Sequence, residues 1–392
     1  MTPLYVDNAA TTPLHPRALA AMMPFLEGSF HNPSSVYTPA RAVRRAIDEA
    51  RAAIAAAINA RPEEIYFTGS GTEANNWALQ GTLTANPQKR HIITSMVEHH
   101  CILYPCRALE KKGFDITFLP VDADGRVQPN LLADALRPDT ALVTLIMANN
   151  EVGTIQPLAE ISALTRAHGV PLHTDAVQAV GHIPVDVDAL GLDFLAMSAH
   201  KFGGPNGIGA LYIRKGTPIA PMLHGGAQER GRRAGTENVA GIVGMAEALR
   251  VSLEELPAEQ PRVTALRDKL IHEILTHIPH AKLNGHPTQR LPGNVNISFR
   301  FVEGESLLLH LDMQQCYAST GSACSSGALE PSHVLLAMGL EHGLANGAIR
   351  FSLGRGNTDA DIPRLLAILQ NAVTKMRALS PLYDDYMKKE QS

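Results

Sequence analysis

The sequence predicts an α/β protein, with a mostly parallel seven-stranded sheet in a large domain and a smaller α+β domain after it. Three observations predict this. Between about residues 16 and 215, seven short apolar runs alternate with helical patterns. The runs are close to continuously apolar, as strands covered on both faces must be. At 392 residues the chain is long for one core, and the alternation lapses at Pro257.

Taken in order, residues 40–58 are alanine-rich with arginines to one side and predict a long helix. Strands are predicted at 65–67, 91–94, 115–119, 141–147, 170–174, 194–197 and 209–213. Helical patterns at 74–83, 102–111 and 158–168 separate several of them. A helix over 239–253 leads to Pro257-Ala258-Glu259-Gln260-Pro261, which reads as a polar, proline-flanked connection between domains. The expected division is 15–256 for the large domain, and 1–14 with 257–392 for the small one. The small domain reads as a helix (263–277), a strand (295–299), a helix from Gly304, a strand (349–353), a last helix (359–379) and a polar tail. The N-terminal segment either packs with this domain or bridges the two.

Composition narrows the function classes. A net charge of −4 and only 5% aromatic residues give no footing for nucleic acid or an anionic membrane. No apolar run approaches a membrane span. Cys101, Cys106, Cys316 and Cys324 are spaced irregularly, unlike a disulfide framework or a paired zinc motif. Reduced thiols, and an N-terminus without a basic segment followed by an apolar stretch, are what a cytoplasmic protein presents.

The chemistry centres on Lys201. It follows the apolar run Phe194-Leu195-Ala196-Met197 and precedes Phe202-Gly203-Gly204-Pro205. Burial at a strand end favours the neutral amine, which forms Schiff bases with aldehydes. Asp175 ends another apolar run, 26 residues upstream. A lysine for the aldehyde and an aspartate for the pyridine nitrogen are the two groups that pyridoxal 5'-phosphate demands. Thr68-Gly69-Ser70-Gly71-Thr72-Glu73 opens a helix after a strand, so its N–H groups suit a phosphate, with Ser198 and His200 nearby in sequence to Lys201. The lysine of the nucleotide-binding loop is missing there.

In Glu98-His99-His100 an imidazole is placed to stack on a ring and shuttle protons, although a bare histidine pair alone reads as two loop residues. A metal site at this pair lacks a further ligand at suitable spacing. Asp175-Ala176-Val177-Gln178 adds an amide near the ring, and Asn149-Asn150-Glu151 another at the same sheet edge. The small residues from Ala318 to Gly327 predict an exposed loop carrying Cys324, whereas Cys101, Cys106 and Cys316 read as buried fillers. Arg350 suits a substrate carboxylate through its planar fork.

These motifs, in this order, resemble the group I cysteine desulfurases of the class V pyridoxal-phosphate aminotransferases. The resemblance is carried by Asp7-Asn8-Ala9-Ala10-Thr11-Thr12-Pro13, Gly69-Ser70-Gly71-Thr72-Glu73, Val97-Glu98-His99-His100, Thr174-Asp175-Ala176-Val177-Gln178, Ser198-Ala199-His200-Lys201, Arg233-Ala234-Gly235-Thr236-Glu237-Asn238 and Gly321-Ser322-Ala323-Cys324. Gly71, Ala74-Asn75 and Ala199 depart from the common residues of that family. The resemblance implies a type I fold and a homodimer. It implies Lys201 as the cofactor-bearing lysine, and His99 stacked on the ring. Asp175, Gln178 and Asn150 would hold the ring or the substrate. Gly71, Thr72, Ser198 and His200 would bind the phosphate, joined by Thr236 of the other subunit. Cys324 would attack L-cysteine and carry the persulfide, and Arg350 would hold the substrate carboxylate. Sulfur would pass to an iron–sulfur scaffold protein or another acceptor, with Cys324 also a candidate transient iron–sulfur ligand. Selenocysteine or cystine lyase on the same scaffold, and a catalytically silent sulfur relay, are the competing readings.

Overall fold

The computed structural model describes residues 3–320 and 331–390. Its strands are β1 (Leu4–Tyr5), β2 (Ile65–Thr68), β3 (His91–Ser95), β4 (Asp115–Leu119), β5 (Thr140–Thr144), β6 (Leu172–Asp175), β7 (Phe194–Ser198), β8 (Gly209–Ile213), β9 (Ala281–Leu283), β10 (Asn294–Phe299), β11 (Cys316–Tyr317) and β12 (Ala348–Ser352). The helices are α1 (Pro16–Glu27), α2 (Thr38–Ala57), α3 (Gly71–Ala85), α4 (His100–Glu110), α5 (Pro129–Ala135), α6 (Leu158–Ala167), α7 (Val239–His277), α8 (Gly304–Met313), α9 (His333–Ala337), α10 (His342–Asn346), α11 (Asp361–Ala378) and α12 (Pro381–Glu390).

All seven predicted strands join one sheet, in the order β2-β8-β7-β6-β5-β3-β4. Only β8 runs antiparallel to its neighbours. Period-two alternation divides its side chains between two cores. Ile65, Phe67, Ile93, Leu195, Met197 and Tyr212 face α2, α6 and the first half of α7. Tyr66, Ile92, Phe194, Ala196, Leu211 and Ile213 face α3 and α4. β5 ends three residues earlier than expected, yet the N–H groups of Leu145 and Met147 still reach the carbonyls of His173 and Asp175 at 3.1 and 2.9 Å.

A further core gathers around the antiparallel sheet β12-β10-β9, closed by α8, α11 and the second half of α7. The N-terminal segment does both things open to it. β1 pairs with β11, Leu4 and Val6 enter this core, and the chain then crosses to the edge of the large sheet.

Two expectations are corrected. The connection at 257–261 is helical, so α7 runs unbroken for 39 residues, about 58 Å. Pro257 and Pro261 lie one turn apart and both are exposed, so water can take the carbonyls their missing N–H groups leave free. Val239–His277 therefore contributes Met245 and Leu249 to the first core and Leu266 and Leu270 to the small one. The tail, too, is not featureless. α12 packs Tyr383 and Tyr386 against Phe301, with ring centroids 5.5 and 5.0 Å apart.

Candidate active site

A cavity of about 410 Å³ opens where β3, β5, β6 and β7 end and α3 begins. All these ends lie on one edge of the sheet, where parallel strands leave a crevice for ligands. Gly71, Thr72, His99, Asn150, Asp175, Gln178, Ser198, His200, Lys201 and Arg350 all line it. Residues up to 279 positions apart in sequence (Gly71 to Arg350) thus converge, as the sequence predicts.

Asp175 closes β6 and is only 4% exposed. Neutral donors hold its carboxylate: Asn75 Nδ2 at 2.8 Å, the Cys101 thiol at 3.5 Å and the Val177 N–H at 3.0 Å. Lys201 stands on a single helical turn after β7 and is half-buried. Its Nζ donates to the carbonyls of Ala9 and Ala10, both at 2.7 Å, and Gln178 Nε2 donates to Ala9 at 2.9 Å. The N-terminal strap therefore orients both side chains.

His99 caps α4, its Nδ1 accepting the Cys101 N–H at 3.1 Å. An accepting Nδ1 leaves the proton of the neutral ring on Nε2. Burial lowers the pKa of this imidazole, and Lys201 pushes the same way against the opposing pull of Asp175. Burial likewise pushes His200 down to about 4, with Lys201 adding to it.

Ser70 caps α3 by accepting the Glu73 N–H at 3.1 Å, leaving Gly71 and Thr72 in the first turn at the cavity wall. A Cβ on Gly71 would stand 2.6 Å from Val177 Cγ2 and 3.4 Å from Ser198 Cβ, so a larger residue here would have to push Val177 aside. Arg350 is 3% exposed, donating to Asp7 Oδ1 at 2.8 Å and to the Asn150 carbonyl at 3.0 Å, while its Nε has no partner among the described residues.

Two expected residues stand apart. Thr236 is exposed and does not line the cavity of its own chain. Cys324 lies outside the described residues. The chain on either side of it is fixed at the cavity: Ser319 pairs with Arg350 through two backbone hydrogen bonds of 2.7 and 3.2 Å. Ser332 bonds Glu151, and His333 Nε2 meets the Glu98 carbonyl at 3.0 Å.

Sequence reasoning missed four groups. Cys101 is buried as expected, but it is no filler, since it touches both His99 and Asp175. Asn75 stood out only as a departure from a motif. Glu98 is fully buried, and desolvation raises its carboxyl to about 8 against the Ser95 and Ile146 hydrogen bonds. His333, which lines the cavity, had no motif to mark it.

Comparison with known proteins sets this geometry in a family. The model of the aminotransferase class-V family matches residues 4–365. The chain belongs to the class-V aminotransferase family. A cysteine desulfurase IscS of Dictyoglomus turgidum is 52% identical over 99% of each chain, and one of Methanosarcina thermophila 51% identical over 97% of this chain and 94% of the other. Among solved structures, a NifS-like protein superposes with a TM-score of 0.90 at 37% identity, covering 95% of this chain and all of the other. SspA in complex with cysteine gives 0.80 at 36% identity, covering 90% and 99%.

Class-V aminotransferases are built around pyridoxal 5'-phosphate, and the residues here fit that group. A buried carboxylate, held by the neutral donors named above, lines the cavity, as a protonated ring nitrogen requires. The glycine-started helix with Ser198 and His200 offers the phosphate an anion site near Lys201.

Proposed function

We infer that this chain is a cysteine desulfurase that removes sulfur from L-cysteine, leaving alanine and a persulfide on Cys324. The carrying observation is the convergence of Lys201, Asp175, His99 and Arg350 on one cavity, with the chain just before the Cys324 segment pinned to Arg350 and His333 just after it lining the same cavity. When bound, pyridoxal phosphate supplies the electron sink for breaking bonds at the substrate Cα.

The chain's residues do the rest. Asp175 would hold the ring nitrogen and Gln178 the ring's oxygen. Gly71, Thr72, Ser198 and His200 would hold the phosphate. Arg350 would take the substrate carboxylate, using the Nε that has no partner among the described residues and the guanidinium nitrogen that otherwise holds Asp7. Asn150, whose carbonyl already braces Arg350, would present its amide beside the substrate. Lys201 moves the Cα proton, and His99, with its proton on Nε2, donates toward the substrate. The Cys324 thiolate attacks the substrate sulfur: an S–S bond forms as the C–S bond breaks, and the β-carbon takes a proton to become the alanine methyl.

The division into 15–256 and 1–14 with 257–392 fits separate cores joined by α7. A homodimer is supported by apolar side chains left in the open on one stretch of chain: Leu26, Phe30 and Val36 are 59%, 79% and 88% exposed. It would let Thr236 complete a neighbouring phosphate site. A persulfide carrier belongs in a reducing compartment, which points to the cytoplasm. The recipient would be an iron–sulfur scaffold protein or another thiol acceptor.

The deciding experiment feeds L-cysteine to the wild type and to Cys324→Ala, measuring alanine and protein-bound persulfide. The wild type should form both. The variant should keep its cofactor absorbance and lose both products; undiminished alanine formation in the variant would refute the assignment.

A further inference from the structure

The floor of the cavity holds a second constellation that sulfur transfer does not require. A His99 ring nitrogen, Cys101 Sγ and an Asp175 carboxylate oxygen all lie within 4.8 Å of one another, with His99 Nδ1 2.9 Å from Cys101 Sγ and Cys101 Sγ 3.5 Å from Asp175 Oδ2. Zinc bonds of about 2.0–2.3 Å at tetrahedral angles place donor atoms about 3.3–3.7 Å apart. The Cys101–Asp175 leg already meets that spacing, the His99–Cys101 leg is about half an ångström short of it, and the third, at most 4.8 Å, needs the imidazole and carboxylate to close by up to about 1.5 Å. Imidazole, thiolate and carboxylate together suit zinc, and three protein donors leave a fourth position for water.

The surroundings are those of a braced site. Asn75 Nδ2 reaches both the Asp175 carboxylate (2.8 Å) and the Cys101 sulfur (3.0 Å), holding two of the three donors from one side chain. Such outer partners fix the direction of ligating groups. Cys101 and Asp175 are buried, 8% and 4% exposed, so the donors are screened from competing water.

We propose that His99, Cys101 and Asp175 form a zinc site that is open only while the pyridoxal cofactor is absent, so that metal and cofactor compete for the same chain. Zinc would displace the Cys101 thiol proton, bind the Asp175 oxygen, and take the His99 Nδ1 lone pair that otherwise accepts the Cys101 N–H. The exclusion rests on reading Asp175 as the partner of the ring nitrogen; the metal site itself does not. Newly made chain in a zinc-rich cell would then be held back from its cofactor.

The test uses the full-length chain, cofactor-free and cofactor-loaded, with zinc chloride, and cobalt chloride as the coloured probe. Cofactor-free wild type and Cys324→Ser should each bind one metal and show a sulfur-to-cobalt charge-transfer band. Cys101→Ser should lose the band and bind zinc more than about tenfold more weakly, with circular dichroism unchanged. Asn75→Ala serves as a milder variant should Cys101→Ser unfold, and should weaken zinc binding while keeping the band. Pyridoxal phosphate should release the metal. A band that persists in Cys101→Ser, no stoichiometric binding by the wild type, or Cys101-dependent uptake by the cofactor-loaded protein would each overturn the proposal. Alanine formation by the loaded enzyme reads the desulfurase assignment separately, so either can fail alone.

Discussion

The two walls of the cavity carry opposite charges and treat them differently. On the sheet side, Asp175 is held by an amide, a thiol and a backbone N–H, all neutral. On the side facing the small core, Arg350 is already paired with Asp7, and its Nε has no partner among the described residues. A buried anion braced by neutral donors is costly until a cation arrives, so its wall selects a cationic ligand and binds it firmly. A cation with a resident carboxylate can exchange that partner for another, so its wall suits a substrate that comes and goes. The difference separates a resident group from a passing one.

The strongest way to break this contrast is Asp175→Ala. Removing one partner of a buried charge pair costs about 3–5 kcal/mol, or ~10²–10⁴-fold. Cofactor affinity and turnover should fall together by that factor, read by absorbance titration with pyridoxal phosphate and by alanine formation. Arg350→Ala should act on the substrate alone. Charge-assisted hydrogen bonds contribute about 1.5–3 kcal/mol, so KM for L-cysteine should rise about 10–150-fold while the cofactor spectrum stays. An equal loss of cofactor affinity would erase the distinction between the walls. Asn75→Ala removes only one neutral brace of Asp175, and cofactor affinity should drop about fivefold, roughly 1 kcal/mol.

The smallest effect concerns stability. Burial holds the Glu98 carboxyl up at about 8, above its ordinary 4.5. Between those values the unfolded chain has lost a proton that the folded chain keeps, so stability falls as pH rises and levels off above about 8. Glu98→Gln removes that slope. Its melting temperature should vary less between pH 5 and 8 than the wild type's, and thermal melts across that range would expose an unchanged slope.

The sheet and the cavity's principal residues were legible because each lies at the end of an apolar run, a local signal. Lys201, Asp175, His99 and Gly71 all carry it. Cys101 and Asn75 carry none. Their role follows from the strand order, which sets the turn after β3 and the start of α3 against the end of β6, and order is a property of the folded sheet. The helix through Pro257 and Pro261 was hidden for another reason. Proline usually ends a helix, and here packing of α7 on separate cores at its two ends outweighs the local penalty. The tyrosines of α12 sit among charged neighbours and declare their partner, Phe301, only in three dimensions.

The strap that meets Lys201 has a consequence for synthesis. Asp7 bonds Arg350 and Asn8 bonds Ser352, contacts spanning 343 and 344 positions of a 392-residue chain. Residues 7 and 8 therefore wait for residues 350 and 352 before they find their places. Until then Lys201 lacks the backbone anchors that aim it. The pocket is thus among the final parts of the molecule to mature, and the large sheet must hold itself together beforehand without help from its ligand.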